Sequence, residues 1–228
     1  TRPPRTSGEA GRGRLVINVG DDEDFEKIHQ IDRLPYLPDA YRNYVPPVAA
    51  PARQLRQFFK DLGVKQVPVY RRTRGRSLDR SRLQSLVIRR DPRVMISREY
   101  HRLNDLFLAV AIDCSGSMQV DDNIEKAKMF AALMAESCRG LGGVDLRLFG
   151  FRHDIIHDAG DADRPAIAGL DAGGGNNDAA ALWHAAQLAL ESSRKSKVLV
   201  MISDGLPTEC TTTALKSLVT RLSRRGVC

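Results

Sequence analysis

The chain has 228 residues, 42% hydrophobic and 28% charged, with Lys+Arg 35 against Asp+Glu 28 and a net charge of +7. That length supports one substantial α/β domain with a true hydrophobic core plus a smaller appendage, and the ordinary composition excludes global disorder. No apolar run approaches the roughly 18 to 20 residues of a membrane span, and the opening TRPPRTSGEAGRGR lacks the apolar block of a secretory signal, so a soluble, cytoplasmic protein is expected.

The basic character is unevenly spread. Residues 1–105 hold 22 Lys+Arg against 13 Asp+Glu, a balance of +9, whereas residues 106–228 hold 13 against 15, a balance of −2. Cys114, Cys138, Cys210 and Cys228 are far apart and form no C-x-x-C pair, which argues against a thiolate zinc site or a redox motif. They read as small buried apolar side chains in a reducing compartment.

In chain order, residues 1 to about 20 are rich in Arg, Gly and Pro and read as a flexible lead-in. An acidic patch follows at Asp21, Asp22, Glu23, Asp24 and Glu26, then the stretch RLPYLPDAYRNYVPPVAAP, whose prolines remove helix donors and predict an extended arm. Residues 1–50 are thus taken as a flexible or extended arm. From Pro51, Ala52, Leu55, Phe58, Phe59 and Leu62 recur at helical spacing, with Gly63 as a stop. A second short helix is predicted from Ser77, as N-cap, to Ile88, with Leu83, Leu86 and Val87 on its apolar side. Nine arginines fall between Arg71 and Arg93, so residues 51–104 form a short helical, Arg-rich region. These arginines suit nucleic-acid phosphates, an acidic protein face, or a solvated surface, and no aromatic residue alternates with them to build a single-strand stacking groove.

Residues 105–228 have a different texture. LFLAVAID (106–113) is a continuous apolar run ending in an acid, as expected of a central parallel strand buried on both faces. A polar turn leads to a helix with Ile124, Ala127, Ala131, Met134, Cys138 and Leu141 on one face, stopped by Gly140 and the Gly142-Gly143 pair. Strands are predicted at 144–151, at a short edge segment 154–157 and at KVLVMISD, and helices over 178–192 and 212–224. This alternation predicts an α/β, Rossmann-like, doubly wound and mostly parallel sheet flanked by helices, preceded by the small helical and extended N-terminal region. Another strand is expected to begin at Gly226-Val227-Cys228, which reads as a domain cut short on its C-terminal side.

In such a sheet the loops leaving the C-terminal strand ends make the natural site. Three polar loops qualify: Asp113-Cys114-Ser115-Gly116-Ser117-Met118, Gly173-Gly174-Gly175-Asn176-Asn177-Asp178, and Ser203-Asp204-Gly205. Their short oxygen donors suit a hard cation, Mg2+ first, with Mn2+ or Ca2+ as alternatives. Asp113 and Asp204 supply charge, while Ser115 and Ser117 supply neutral hydroxyls that leave the ion electrophilic enough to accept an outside Asp or Glu.

The run D-C-S-G-S-M at the end of an apolar strand resembles the D-x-S-x-S signature of von Willebrand factor A domains. The resemblance covers residues 105–228 and implies a metal-ion-dependent adhesion site, with Asp113, Ser115 and Ser117 as first-loop ligands and Asp204 of ISDG as the final acid. Many such domains carry a threonine ligand in the second loop; here Asn176 stands there with Asp178 two positions on, and either of them is a candidate ligand. N-x-D-x-A-A-L together with L-V-M-I-S-D-G-x-P is similar to the bacterial cobaltochelatase CobT-type and nitric-oxide-reductase-associated NorD-type subgroup. That subgroup implies work beside MoxR-type AAA+ ATPases in metal insertion or enzyme maturation. The expected function is therefore a non-catalytic, metal-dependent protein-interaction module acting as an adaptor. The alternative is a nucleic-acid-binding protein that uses the Arg71–Arg93 segment.

An enzymatic reading is disfavoured. D-x-S-G-S is not the G-x-S-x-G elbow that would make Ser115 or Ser117 a nucleophile with His153 or His157 as base, and no G-x-x-x-x-G-K-[ST] phosphate loop is present. Cys114 is too soft to prefer magnesium, and Trp183 belongs to the buried face of its helix.

Overall fold

A computed structural model of the chain describes residues 25–62, 64–102, 105–205 and 207–228. In chain order its elements are β1 (Gln30–Arg33), α1 (Pro38–Tyr41), α2 (Val45–Leu62), β2 (Val64–Arg72), β3 (Ser77–Leu78), α3 (Leu83–Arg89), β4 (Met95–Arg102) and β5 (Leu106–Asp113). There follow α4 (Asn123–Cys138), β6 (Val144–Phe151), β7 (Ile155–Asp158), α5 (Asp178–Glu191), β8 (Ser196–Ile202) and α6 (Thr212–Arg224). The Arg-, Gly- and Pro-rich lead-in, the acids Asp21 to Asp24 and the stop expected at Gly63 lie outside the described residues.

The apolar run at 106–113 forms β5, buried along nearly its whole length. It pairs in parallel with β6 on one side and β8 on the other, within a five-stranded sheet of order β1-β7-β6-β5-β8. Successive side chains of a strand point to opposite faces, and β5 divides its residues accordingly. Phe107, Ala109 and Ala111 join a core with α5 and α6, while Leu108, Val110 and Ile112 join a second core with α2 and α4. Alanines let the helices approach closely: Ala127, Ala131, Ala132 and Ala135 line the buried side of α4, and Ala179, Ala180, Ala185 and Ala186 that of α5. The architecture is the α/β one read from the sequence, a mostly parallel central sheet with helices on both faces. Among the described residues no helix is long and apolar enough to cross a membrane.

Several elements depart from the sequence reading. The segment predicted as a short edge strand becomes β7, which is antiparallel to β6 and has β1 paired in parallel on its outer side. Part of the expected arm is therefore sheet. Phe25 and Ile28 are buried in the α5/α6 core, and Asn177 Nδ2 donates to the Glu26 carbonyl at 2.8 Å. The proline-rich stretch is helical, since α2 begins at Val45 rather than Pro51 and runs through all three of its prolines. Pro46 and Pro47 fall in the first turn, where backbone donors have no intrahelical partner, so they remove little. Pro51 forfeits one bond, and burial of Val48 and Ala52 against α4 compensates it. Tyr41 and Tyr44 fasten this helical arm by donating to Glu136 Oε1 at 2.9 Å and Glu125 Oε2 at 3.0 Å on α4. Burial, then the bond to Glu125, pushes the Tyr44 phenol up to about 12. Phe58, expected on the apolar face, is exposed.

Residues 64–102 form a second, three-stranded antiparallel sheet of order β2-β4-β3. The helix predicted from Ser77 starts later. Ser77 and Leu78 pair with Ile96 and Met95 as β3, and Asp79 takes the capping role through an Oδ1 that accepts from Ser81 N at 3.1 Å. Gly75 lies against the Ile96 backbone so closely that a Cβ there would overlap it.

One packing site behind the polar loops gives a stability test. A Cβ on Gly150 of β6 would overlap the Leu170 side chain and lie 2.9 Å from Cys114 Sγ, and both neighbours are fully buried. Gly150→Ala should lower unfolding stability by about 1–3 kcal/mol through overpacking, read as a shift of the urea midpoint at constant slope. An unchanged midpoint would show that Leu170 has room to move.

Candidate metal centre

Three loops meet at the C-terminal ends of β5 and β8. β5 delivers Asp113, which is 0% exposed. Its Oδ1 accepts from the backbone N–H of Ser115 at 2.7 Å, within the first loop. Its Oδ2 accepts from Asn176 Nδ2 of the second loop at 2.9 Å and from Ser203 Oγ of the third at 2.9 Å. A buried carboxylate without donors would be costly, so these three bonds are what permits the acid to sit there. From this anchor a row of oxygens leads outward: Ser115 Oγ lies 3.0 Å from Ser117 Oγ, which donates to Asp204 Oδ1 at 2.8 Å. Ser115 is buried, whereas Ser117 and Asp204 are exposed, so the row opens to solvent at Asp204.

Backbone bonds hold the loops in register. Gly116 N donates to Gly174 O at 2.9 Å and Gly173 N to Cys114 O at 2.8 Å. Gly174 has a φ of +76°, a conformation that favours glycine and turns the chain back toward the first loop.

Asp178 begins α5 just behind Asp113 and is 2% exposed. Its Oδ1 is buried with no hydrogen-bond partner among the described residues, and its Oδ2 receives only a long 3.4 Å approach from Asn176 Nδ2. Burial, and then the Asp113 charge, pushes its carboxyl up to about 6. Asn176 separates the two acids. Its Oδ1 accepts from Thr208 N at 2.8 Å and from Thr208 Oγ1 at 3.0 Å, while its Nδ2 faces Asp113 and Asp178. A backbone N–H can only donate, so it fixes which end of the carboxamide is oxygen. In this geometry Asn176 is a bridge between acids, with its oxygen committed to Thr208.

The structure therefore brings together all six residues singled out from the sequence: Asp113, Ser115, Ser117, Asn176, Asp178 and Asp204. Two further residues complete the cluster. Ser203 holds Asp113, and Thr208 holds Asn176 through both its main chain and its hydroxyl. Ser203 was visible only as a member of the third loop. Thr208 carries no periodicity or motif signal that could have marked it.

The other chemistry-bearing residues stand apart. Among the described residues no imidazole hydrogen-bonds Ser115 or Ser117; His153 lies 3.6 Å from Asp154 and His157 lies 3.8 Å from Asp32. Burial pushes the Cys114 thiol up to about 12, as befits a packing residue. Cys138 is buried too, but Cys210 is only half-buried and Cys228 is exposed, so the cysteines do not all serve the core. Trp183 is partly buried, with Lys27 Nζ 5.0 Å from its ring centre.

Among the described residues no three His, Cys, Asp or Glu side chains are grouped as a metal cage. The donors are instead mixed, carboxylates with hydroxyls and no sulfur or imidazole. Such a set fits a hard, oxygen-seeking cation, with the carboxylates offsetting its charge and the hydroxyls adding neutral oxygen ligands. Asp178 beside Asp113, with one oxygen unpartnered among the described residues, is the local imbalance that a cation would relieve.

No family model and no curated protein matches the chain. Among solved structures it is similar to three N-terminal domains of the type V pili tip protein Mfa5 from Porphyromonas gingivalis, with 20% identity and a TM-score of 0.42 over 52% of this chain and 24% of that one. The vWF domain of the same protein gives 21% identity and 0.40 over 49% and 43%. The pilus adhesin SpaC from Lactobacillus rhamnosus GG gives 17% and 0.40 over 47% and 16%. The matched part of this chain spans less than half the length of each of these structures.

Proposed function

We propose that the chain is a non-catalytic, metal-dependent protein-interaction module of the von Willebrand factor A type. The observation that carries this reading is the open row from buried Asp113 through Ser115 and Ser117 to exposed Asp204, backed by an unpartnered Asp178 oxygen. Asp113, Ser115, Ser117 and Asp204 would hold Mg2+, Asp178 would add charge from behind, and Asn176 and Thr208 would position the second loop. A bound Mg2+ supplies a positive centre to which a partner's Asp or Glu is drawn. Two carboxylates, Asp113 and Asp204, would already balance a 2+ ion, so a partner acid would be held through an open ligand position at the solvent-facing end of the row rather than by excess positive charge.

The finer reading is an adaptor for a MoxR-type AAA+ ATPase in metal insertion or enzyme maturation. It is supported by the resemblance of residues 176–182 and 199–207 to the CobT- and NorD-type subgroup, with ATP chemistry assigned to the partner.

Asp113→Ala is a poor test of metal binding, since it strands the Ser115, Asn176 and Ser203 donors at roughly 1–3 kcal/mol each and threatens the fold. Ser117→Ala and Asp204→Asn alter exposed positions instead. Calorimetric titration of the full chain with Mg2+ should show one site, weakened at least about tenfold in either variant while the unfolding midpoint stays within error. A wild-type chain that takes up neither Mg2+, Mn2+ nor Ca2+ would refute the reading.

Asp178 gives a second test through linkage. Its folded-state carboxyl titrates near 6, above the ordinary 3.8, so the folded state holds the extra proton and loses stability as pH rises between those values. Without metal, Asp178→Asn should therefore be more stable than wild type by about 1–3 kcal/mol at pH 8, with the difference vanishing below about pH 4. Saturating Mg2+ should narrow the gap at pH 8, because it stabilises the wild-type pair of acids. A variant no more stable than wild type in chelator would show that the two acids do not strain each other.

A further inference from the structure

Residues 64–102 hold twelve Lys and Arg against three Asp and Glu, a balance of +9, so the rest of the chain sums to −2. The segment's charge is concentrated at one end of its small sheet. Arg72 and Leu78 both register against Met95, so the loop 73–76 and the excursion 79–94, which carries α3, leave the sheet from the same position. Asp91 engages Arg82 and Arg93, at 3.4 and 2.9 Å, and Asp79 is spent on capping Ser81. Arg71, Arg74, Arg76, Arg80, Arg89 and Arg90 are exposed and have no hydrogen bond or ion pair among the described residues.

The same end exposes aliphatic side chains. Val87 is 78% and Ile88 77% exposed, and Leu83 and Leu86 are exposed beside them. Four such residues within a seven-residue helix gain nothing from solvent, and nothing in the described chain covers them. The excess positive charge specifies an anionic partner. The uncovered aliphatics specify one that also offers an apolar phase, and a surface presenting both is a bilayer with anionic headgroups. Nucleic acid meets the charge but has no use for Val87 and Ile88, and the exposed aromatic beside the arginines, Tyr70, precedes them rather than alternating with them as a stacking row would. A structured acidic protein face would be met by a rim of mixed sign, whereas every unpaired charge here is positive.

We propose that the Arg71–Arg93 end of the three-stranded unit is a membrane-docking tip, in which the free arginines bind anionic phospholipid headgroups and Val87 and Ile88 insert beneath them. The interaction is peripheral and reversible, and salt weakens it.

The full chain, mixed with vesicles of phosphatidylcholine containing phosphatidylglycerol, should float with them, and should not float with vesicles of phosphatidylcholine alone. Arg80→Gln/Arg89→Gln/Arg90→Gln should weaken partitioning about a hundredfold, at about fivefold for each charge removed. Val87→Ser/Ile88→Ser keeps every charge and changes only exposed positions, so the fold is preserved, which circular dichroism checks. It should weaken vesicle binding about tenfold while leaving retention on a heparin column unchanged. The proposal fails if the wild-type chain ignores anionic vesicles at low salt, or if the serine variant binds them as well as wild type does. It also fails if a double-stranded oligonucleotide at equal phosphate concentration strips the protein from the vesicles, which would assign the arginines to nucleic acid. None of these outcomes bears on Mg2+ binding at Asp113.

Discussion

The arrangement of the polar end of this protein rests on how the Asp113 carboxylate is satisfied. A charged group at the buried end of a central strand is tolerable only if donors surround it, and here each donor comes from a different loop: Ser115 N, Asn176 Nδ2 and Ser203 Oγ. The acid thereby acts as a clamp. Its demand for hydrogen bonds fixes the distance between loops that are up to 90 residues apart in sequence, and the position of Ser117 and Asp204 follows from that fixing.

The same clamp creates an imbalance. Asp178 is placed by the start of α5, with Asn177 as its cap accepting from Ala180 N at 3.1 Å, so the helix carries a second acid toward the first. Asn176 reduces the conflict by offering its amide hydrogens to both, and Thr208 keeps it turned that way. The compensation is incomplete, since one Asp178 oxygen has no partner among the described residues. A buried acid left short of donors beside a second acid is an electrostatic cost that the surrounding packing must carry.

How far the sequence discloses this depends on the scale of the interaction involved. The run at 106–113 declared itself as a buried strand because it lacks any polar residue before Asp113, and Thr212–Arg224 matched its helix because its apolar residues keep a helical period. The three loops could be found because strand ends in such a sheet converge. What escaped was everything decided by a distant surface. Residues 45–51 read as a helix breaker until Val48 and Ala52 are seen against α4, and the fully exposed four residues of β1 have no pattern at all. Ser77 looked like a cap, but pairing with β4 drew it into a strand. Asn176 could be named from the motif, yet whether its oxygen or its nitrogen meets Asp113 is set by Thr208, 32 residues on.

Charge then divides the chain into two regions that select partners of the same sign by opposite means. Asp113, Asp178 and Asp204 give the candidate metal centre a negative field, which by itself repels an incoming carboxylate; under the proposed reading a divalent cation held among them would offset that charge and offer the carboxylate a ligand position. The arginines of residues 71–90 need no such ion, since they present fixed positive charge whatever the metal concentration. Under the two proposals, attraction at the first region would depend on a divalent ion, whereas at the second it would be permanent, sensitive to ionic strength and reinforced by Val87 and Ile88. If both proposals hold, the chain would stay at an anionic surface through one end while engaging an acidic partner at the other, because removing the ion would abolish one attraction and leave the other untouched.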